Sequence, residues 1–138
     1  MNIQEKYLDI KSSFNDSLKN FVDSLSIITI PFPNNVVDAI KSGQIQKFEM
    51  TTELAWKCCK LYIEIQFGDI VVSPKLVYKE LFRQEAIDED LYLNLIDTIE
   101  DRNKLSHIYK ERMFHQIHSK LNTHAVSLQL IYNMLNAS

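Results

Sequence analysis

Glycine and proline are scarce in this 138-residue chain, with two of the first and three of the second. Sheet proteins spend such residues on their many tight turns, so the shortage argues against an all-β fold and for long helices with few connections. Charge of either sign is not in excess: 15 basic against 18 acidic residues give a net of −3, so no global signature of a nucleic-acid binder is present. No apolar run approaches the ~20 residues of a membrane span, and the first residues carry Glu5, Lys6, Asp9 and Lys11 instead of a signal-peptide core. A cytoplasmic protein without a membrane partner is expected. The two cysteines, Cys58 and Cys59, are adjacent within a helical pattern. Neighbours on a helix point about 100° apart, which is poor geometry for a bridge, so reduced core thiols are expected.

What the chain does have is helical periodicity and 46% hydrophobic residues, enough for one core. Ile3, Tyr7, Ile10, Phe14, Leu18, Phe21, Leu25 and Ile28 recur at steps of three and four, which predicts a first helix ending before Pro31 and Pro33. Asn34 or Asn35 can cap a second helix running to about Gln66, with Gly43 a place to bend or break and Gly68 a stop. Ser73-Pro74 opens a short helix to about Gln84, and Asp88 caps the next, with Ile87 able to staple onto Tyr92. A last helix is expected from about Lys110 to Asn136, its stripe formed by Ile117, Leu121, His124, Leu128, Ile131 and Leu135. The predicted fold is all-α: residues 1–138 form a single domain, an antiparallel bundle of four main helices with an additional short one.

One position does not suit a plain bundle. The stripe Leu91, Leu95, Ile99 continues at Arg102, which falls within about 20° of Leu91 around the helix. An arginine there either snorkels at a helix end or aims a charge into a cleft. His107 follows five residues later, about 140° round a regular helix, so the two converge only if the helix ends or a second subunit completes the site. On residues alone, both also suit a helix C-terminus, whose negative dipole end attracts cations.

The segment Arg102-Asn103-Lys104-Leu105-Ser106-His107 resembles the R-polar-x3-H motif of the HEPN superfamily. With Ile108 and Tyr109 it extends to R-x4-H-x-Y, the form found in HepT-type toxins paired with a minimal nucleotidyltransferase antitoxin. A second block, Phe48-Glu49 through Glu53-Leu54-Ala55-Trp56-Lys57, resembles the F-E-x-x-x-E-L-A-W-K signature of nucleotidyltransferase substrate-binding proteins. Ser73-Pro74, Phe82-Arg83 and the 97–109 stretch follow in the same order as in that family, so the resemblance covers most of residues 34–110.

That resemblance implies an RNase toxin that needs no metal or other cofactor, acts on RNA, forms a homodimer, and is silenced when its cognate minimal nucleotidyltransferase adds AMP to Tyr109. His107 is implied as the proton-transfer group, Arg102 as the charge that stabilises the transition state, and Asn103 as a residue orienting either. The alternative is a non-catalytic substrate-binding or regulatory subunit of a two-component nucleotidyltransferase. Glu49, on a largely apolar helix face, is a candidate ion-pair partner of Arg102 and would give that arginine a structural role. Trp56 is expected in the core, and Asp97, Glu100 and Asp101 on a solvated face. His115, His118 and His124 lack the further ligands of a metal site, and none is expected.

Overall fold

In a computed structural model of the chain, residues 1–106 and 110–137 are described, and they form six helices with no strand among them. The helices are α1 (Ile3–Ser24), α2 (Asn34–Phe67), α3 (Pro74–Arg83), α4 (Glu89–Leu105), α5 (Glu111–His118) and α6 (Leu121–Ala137). Four are long and two short, so the all-α expectation holds with one short helix more than predicted. None of the described helices is long and apolar enough to cross a membrane.

Helix α2 is the common wall of the bundle, packing against each of the other five. Its buried face carries Ile45, Phe48, Thr52, Ala55, Cys59 and Ile63, at the helical spacing the sequence showed. Phe14, Phe21, Phe48 and Tyr78 are the largest of the fully buried core side chains. Phe21 lies 6.1 Å from Phe48 between ring centres, which ties α1 to α2. Both cysteines are buried and unbridged, and loss of water around them pushes the Cys58 thiol up to about 12 and Cys59 well above its usual value.

Three boundaries differ from those expected. Helix α1 stops at Ser24 and not near Ile28, because Ser24 Oγ donates to the Phe21 carbonyl at 2.6 Å and Gln44 Nε2 donates to the Ser24 carbonyl at 2.7 Å. These side chains engage carbonyls that further helix would use. Ile28 is left 70% exposed. Helix α2 begins at Asn34 behind Pro33 as N-cap, so neither asparagine caps it. It runs unbroken through Gly43 to Gly68, whose left-handed φ of 74° ends it, as glycine permits at little cost.

The predicted last helix is two. Ser119 and Lys120 form a turn in which Lys120 N–H donates to the Ile117 carbonyl at 2.9 Å, a three-residue step that interrupts the α pattern. The interruption accompanies a strong pull on the lysine, whose ammonium lies 2.8 Å from both Asp97 and Asp101 of α4. The predicted stripe is nevertheless buried from Ile117 to Leu135. Asp88 accepts from Leu91 N–H at 2.8 Å and so caps α4 as expected. Tyr92 stacks on Phe82 with ring centres 5.0 Å apart, and Ile87 is buried in the core cluster.

Gly43 gives the first test. It sits inside α2, and a methyl group added there would meet no atom within 4 Å. Gly43→Ala should therefore stabilise the fold by about 0.5–1 kcal/mol, since it reduces the freedom of the unfolded chain without strain. Urea unfolding should show a higher midpoint at unchanged slope.

Candidate functional site

The last turn of α4 carries the residues that the sequence singled out, and it is fixed from two sides. On the inner side, Asp101 is 1% exposed. Its Oδ2 accepts from His124 Nε2 of α6 at 2.7 Å and from Lys120 Nζ at 2.8 Å. His124 is equally buried and stacks on Phe48, with ring centres 4.9 Å apart. Burial pushes the Asp101 carboxyl up, yet hydrogen bonds and charge from His124 and Lys120 outweigh it and hold the group below the usual carboxylate range. The expectation of a solvated acidic face therefore fails at Asp101. It holds for Glu100, which is exposed and pairs with Lys75 at 3.4 Å.

One residue on and about 100° round the helix, Arg102 points toward α2. Its Nη2 lies 2.9 Å from Glu53 Oε2. Glu53 also accepts from Trp56 Nε1 at 3.0 Å and pairs with Lys57 at 3.2 Å. Burial raises the Glu53 carboxyl, but these hydrogen bonds and the cations around it prevail, so it is held below the usual value and stays ionised. Trp56 is thus only half-buried, and its indole N–H fixes the carboxylate that in turn holds Arg102.

Glu49, the expected partner of Arg102, is not the residue it pairs with. It lies one helical turn before Glu53 and lines, with Met50, Glu53, Leu54 and Arg102, an open groove of about 360 Å³. Burial raises its carboxyl above the usual range, and the nearby charge of Arg102 only partly offsets this. The Arg102 side chain is about one-third exposed at the groove's edge. A guanidinium carries five N–H donors in a fixed fork, so one engaged with Glu53 can still present donors to an anion. Asn103 is exposed beside it. His107 and Tyr109 lie outside the described residues.

The three histidines weighed as metal ligands do not converge. His115 pairs with Glu111 at 3.6 Å, His118 Nε2 meets Gln44 Oε1 at 2.7 Å, and His124 belongs to Asp101. Asp97, Asp101 and His124 do bring three ligand atoms within 4.8 Å of one another. The Lys120 ammonium already stands against both carboxylates, supplying the positive charge that an ion would bring.

Residues 5–137 match the protein family described as nucleotidyltransferase substrate binding protein like. The chain belongs to this family. Two solved structures share the fold of this nucleotidyltransferase substrate-binding-like protein. A crystal structure from Thermus thermophilus superposes with a TM-score of 0.77 at 21% identity, covering 88% of this chain and 98% of that one. A tri-AMPylated HEPN toxin from Shewanella oneidensis, solved in complex with its MNT antitoxin, gives 0.71 at 15% identity with both chains covered in full. The family member described here therefore has a HEPN-like helical fold. No curated protein matches its sequence.

The partners of two residues, Glu53 and His124, escaped sequence reasoning, and each left a trace. Glu53 precedes Lys57 by four residues, the favourable orientation for a helical ion pair, and it stands three before Trp56. His124 lies on an otherwise apolar stripe, where a buried imidazole needs a polar partner. Asp101 is the acid that α4 brings to it.

Two titrations follow. Since the Glu49 carboxyl is raised in the fold, its ionised form costs stability above that pKa, and the cost vanishes once the carboxyl is protonated in both states. Glu49→Gln should raise the melting temperature at pH 7, with the gain fading as pH falls through the raised folded value and gone below ~4.3. Asp101 has the opposite sign, because its lowered pKa contributes stability above ~3.9 that is lost as pH falls through the folded value. Asp101→Asn should melt lower than wild type at pH 7, and the gap should narrow on acidification, as read by thermal circular dichroism.

Proposed function

We propose that this chain is a HEPN-type toxin of the cytoplasm, an RNase that needs no metal ion and is neutralised by AMPylation from a cognate minimal nucleotidyltransferase. The observation that carries this reading is Arg102: it begins the R-x4-H-x-Y motif, and a Glu53 carboxylate fixed by Trp56 holds it at the edge of an open groove. Family membership and a fold shared with a HEPN toxin that was solved with its MNT antitoxin support the same assignment.

The chemistry asks little of the protein. The 2′-hydroxyl of the RNA loses its proton to a base and attacks the adjacent phosphorus, and the 5′-oxygen of the next nucleotide leaves with a proton. His107 is the group suited to carry those protons near neutral pH. Arg102 stabilises the negative charge that gathers on the non-bridging oxygens, and its attachment to Glu53 means that little reorganisation is needed as the charge develops. Asn103 orients one or the other. A homodimer pairs two such motifs across a two-fold axis, so that a second Arg102 and His107 contribute to one cleft.

Silencing acts on Tyr109. Its phenolic oxygen attacks the α-phosphorus of ATP on the nucleotidyltransferase, pyrophosphate leaves, and the adenylate remains on the tyrosine. The added negative charge then lies two residues from His107, where it repels substrate phosphates and blocks their approach.

Expression without the partner should arrest growth and degrade RNA, whereas His107→Ala and Arg102→Ala should lose at least about a hundredfold in cleavage. Co-expression with the nucleotidyltransferase should raise the intact mass by one or more AMP units, and Tyr109→Phe should abolish the increase. Equal toxicity of wild type and His107→Ala would instead assign the chain as a substrate-binding or regulatory subunit. A bare Tyr109 with AMP on another residue would remove it from the site.

A further inference from the structure

Of the three histidines among the described residues, two stand against a carboxylate: His115 against Glu111 and His124 against Asp101. His118 does not. Its Nε2 meets Gln44 Oε1 at 2.7 Å, across the junction of α5 with α2. Gln44 is buried, and its own Nε2 donates to the Ser24 carbonyl at 2.7 Å. A carbonyl only accepts, so the Gln44 amide has one orientation and its oxygen faces His118. The neutral imidazole must therefore carry its hydrogen on Nε2. Its Nδ1 has no partner among the described residues.

The charges that act on His118 are all positive. Burial lowers its pKa first, and Lys41 of α2 and His115, one turn back on α5, lower it further. Among the described residues no carboxylate offsets them, since Glu111 engages only His115. Phe114 contacts both imidazoles, its ring centre 5.5 Å from that of His115 and 6.4 Å from that of His118. Charge of the same sign continues along the helix. Lys110 and Arg112 are exposed and make no ion pair among the described residues. On a chain of net −3, the stretch from Arg102 to Lys120 holds five of the 15 basic residues and one of the 18 acidic ones.

We infer that Lys41, His115 and His118 form a phosphate-binding site at the junction of α2 and α5. Three physical points select that occupant. Cations gathered without an acid lack an anion, and its arrival would favour protonation of His118 and turn Nδ1 into a second donor. A phosphate offers several oxygens, so it can bridge groups that do not share the single meeting point a metal ion needs. Lys110 and Arg112 extend the positive charge along α5, and a row of cations suits the successive phosphates of a polynucleotide better than one carboxylate. Helix α5 begins two residues after Tyr109. Under the RNase reading, on which this step alone rests, the occupant is an RNA backbone phosphate flanking the one that is cut. Free phosphate shares the chemistry, and the experiment separates the two.

The test follows the His118 ring signals by proton NMR and the anisotropy of a labelled single-stranded DNA, which carries phosphates but no 2′-hydroxyl to attack. Saturating inorganic phosphate and the DNA should each raise the His118 midpoint by about one unit, a tenfold preference for the protonated ring; acetate at equal ionic strength should not. Lys41→Ala, and His118→Gln, which keeps a donor for Gln44, should each weaken DNA binding about fivefold and lower its log–log salt slope by about 0.7. Lys41→Arg should bind as wild type, as should Lys19→Ala, which removes an exposed cation on α1. Circular dichroism should show all four variants as helical as wild type. A response to free phosphate but not to DNA supports the site and assigns it to free phosphate. An equal response to acetate would give the site to a protein carboxylate and overturns the inference. Unchanged DNA binding together with an unmoved His118 midpoint overturns it too, as does an equal loss in Lys19→Ala. No readout here depends on cleavage, so the RNase reading fails separately, when RNA survives the wild-type protein.

Discussion

A carboxylate buried in a protein must find hydrogen bonds and a counter-charge, and Asp101 finds them in His124 and Lys120. Much of the architecture around the candidate site follows from that requirement. It sets the rotation of the last turn of α4 and draws Lys120 into the turn that separates α5 from α6. It also seats His124 flat against Phe48, at the middle of the wall formed by α2. With Asp101 directed inward, the following residue is delivered toward α2, where Glu53 receives it. Arg102 is therefore aimed by its neighbour as much as by its own partner. An uncompensated charge left at this depth is typically worth several kcal/mol, so removing one partner should be felt across three helices.

The helices themselves were largely legible in the sequence because burial imposes a period that the apolar residues must obey. Phe14, Leu18 and Phe21 in α1 and the Ile117–Leu135 series in α5 and α6 fall where their spacing placed them. The end of α1, the continuity of α2 and the split before α6 were not legible, and each has a side-chain cause. Gln44 reaching Ser24, a glycine with no reason to bend, and a lysine drawn to two aspartates are tertiary events that periodicity does not encode. The site was legible as an arginine standing out of place, but its partner was not. Glu49 and Glu53 are one turn apart on the same helix, and only the approach angle of α4 decides between them.

The groove beside Arg102 shows how one helix can hold two carboxylates shifted in opposite directions. Glu53 is surrounded by donors that hold its carboxyl below the usual range, while burial raises that of Glu49. The Arg102 guanidinium is anchored by the first, and its charge only partly offsets the rise in the second.

The two adjacent cysteines have a practical consequence. With both thiols deep against α2's neighbours and their ionisation suppressed, the native protein presents almost no thiolate, the form that alkylating reagents and peroxides attack. Their reactivity is therefore governed by opening of the bundle. Each protein molecule carries a built-in clock for its own unfolding, and the rate at which a thiol reagent labels it reads the exposure of its most central helix.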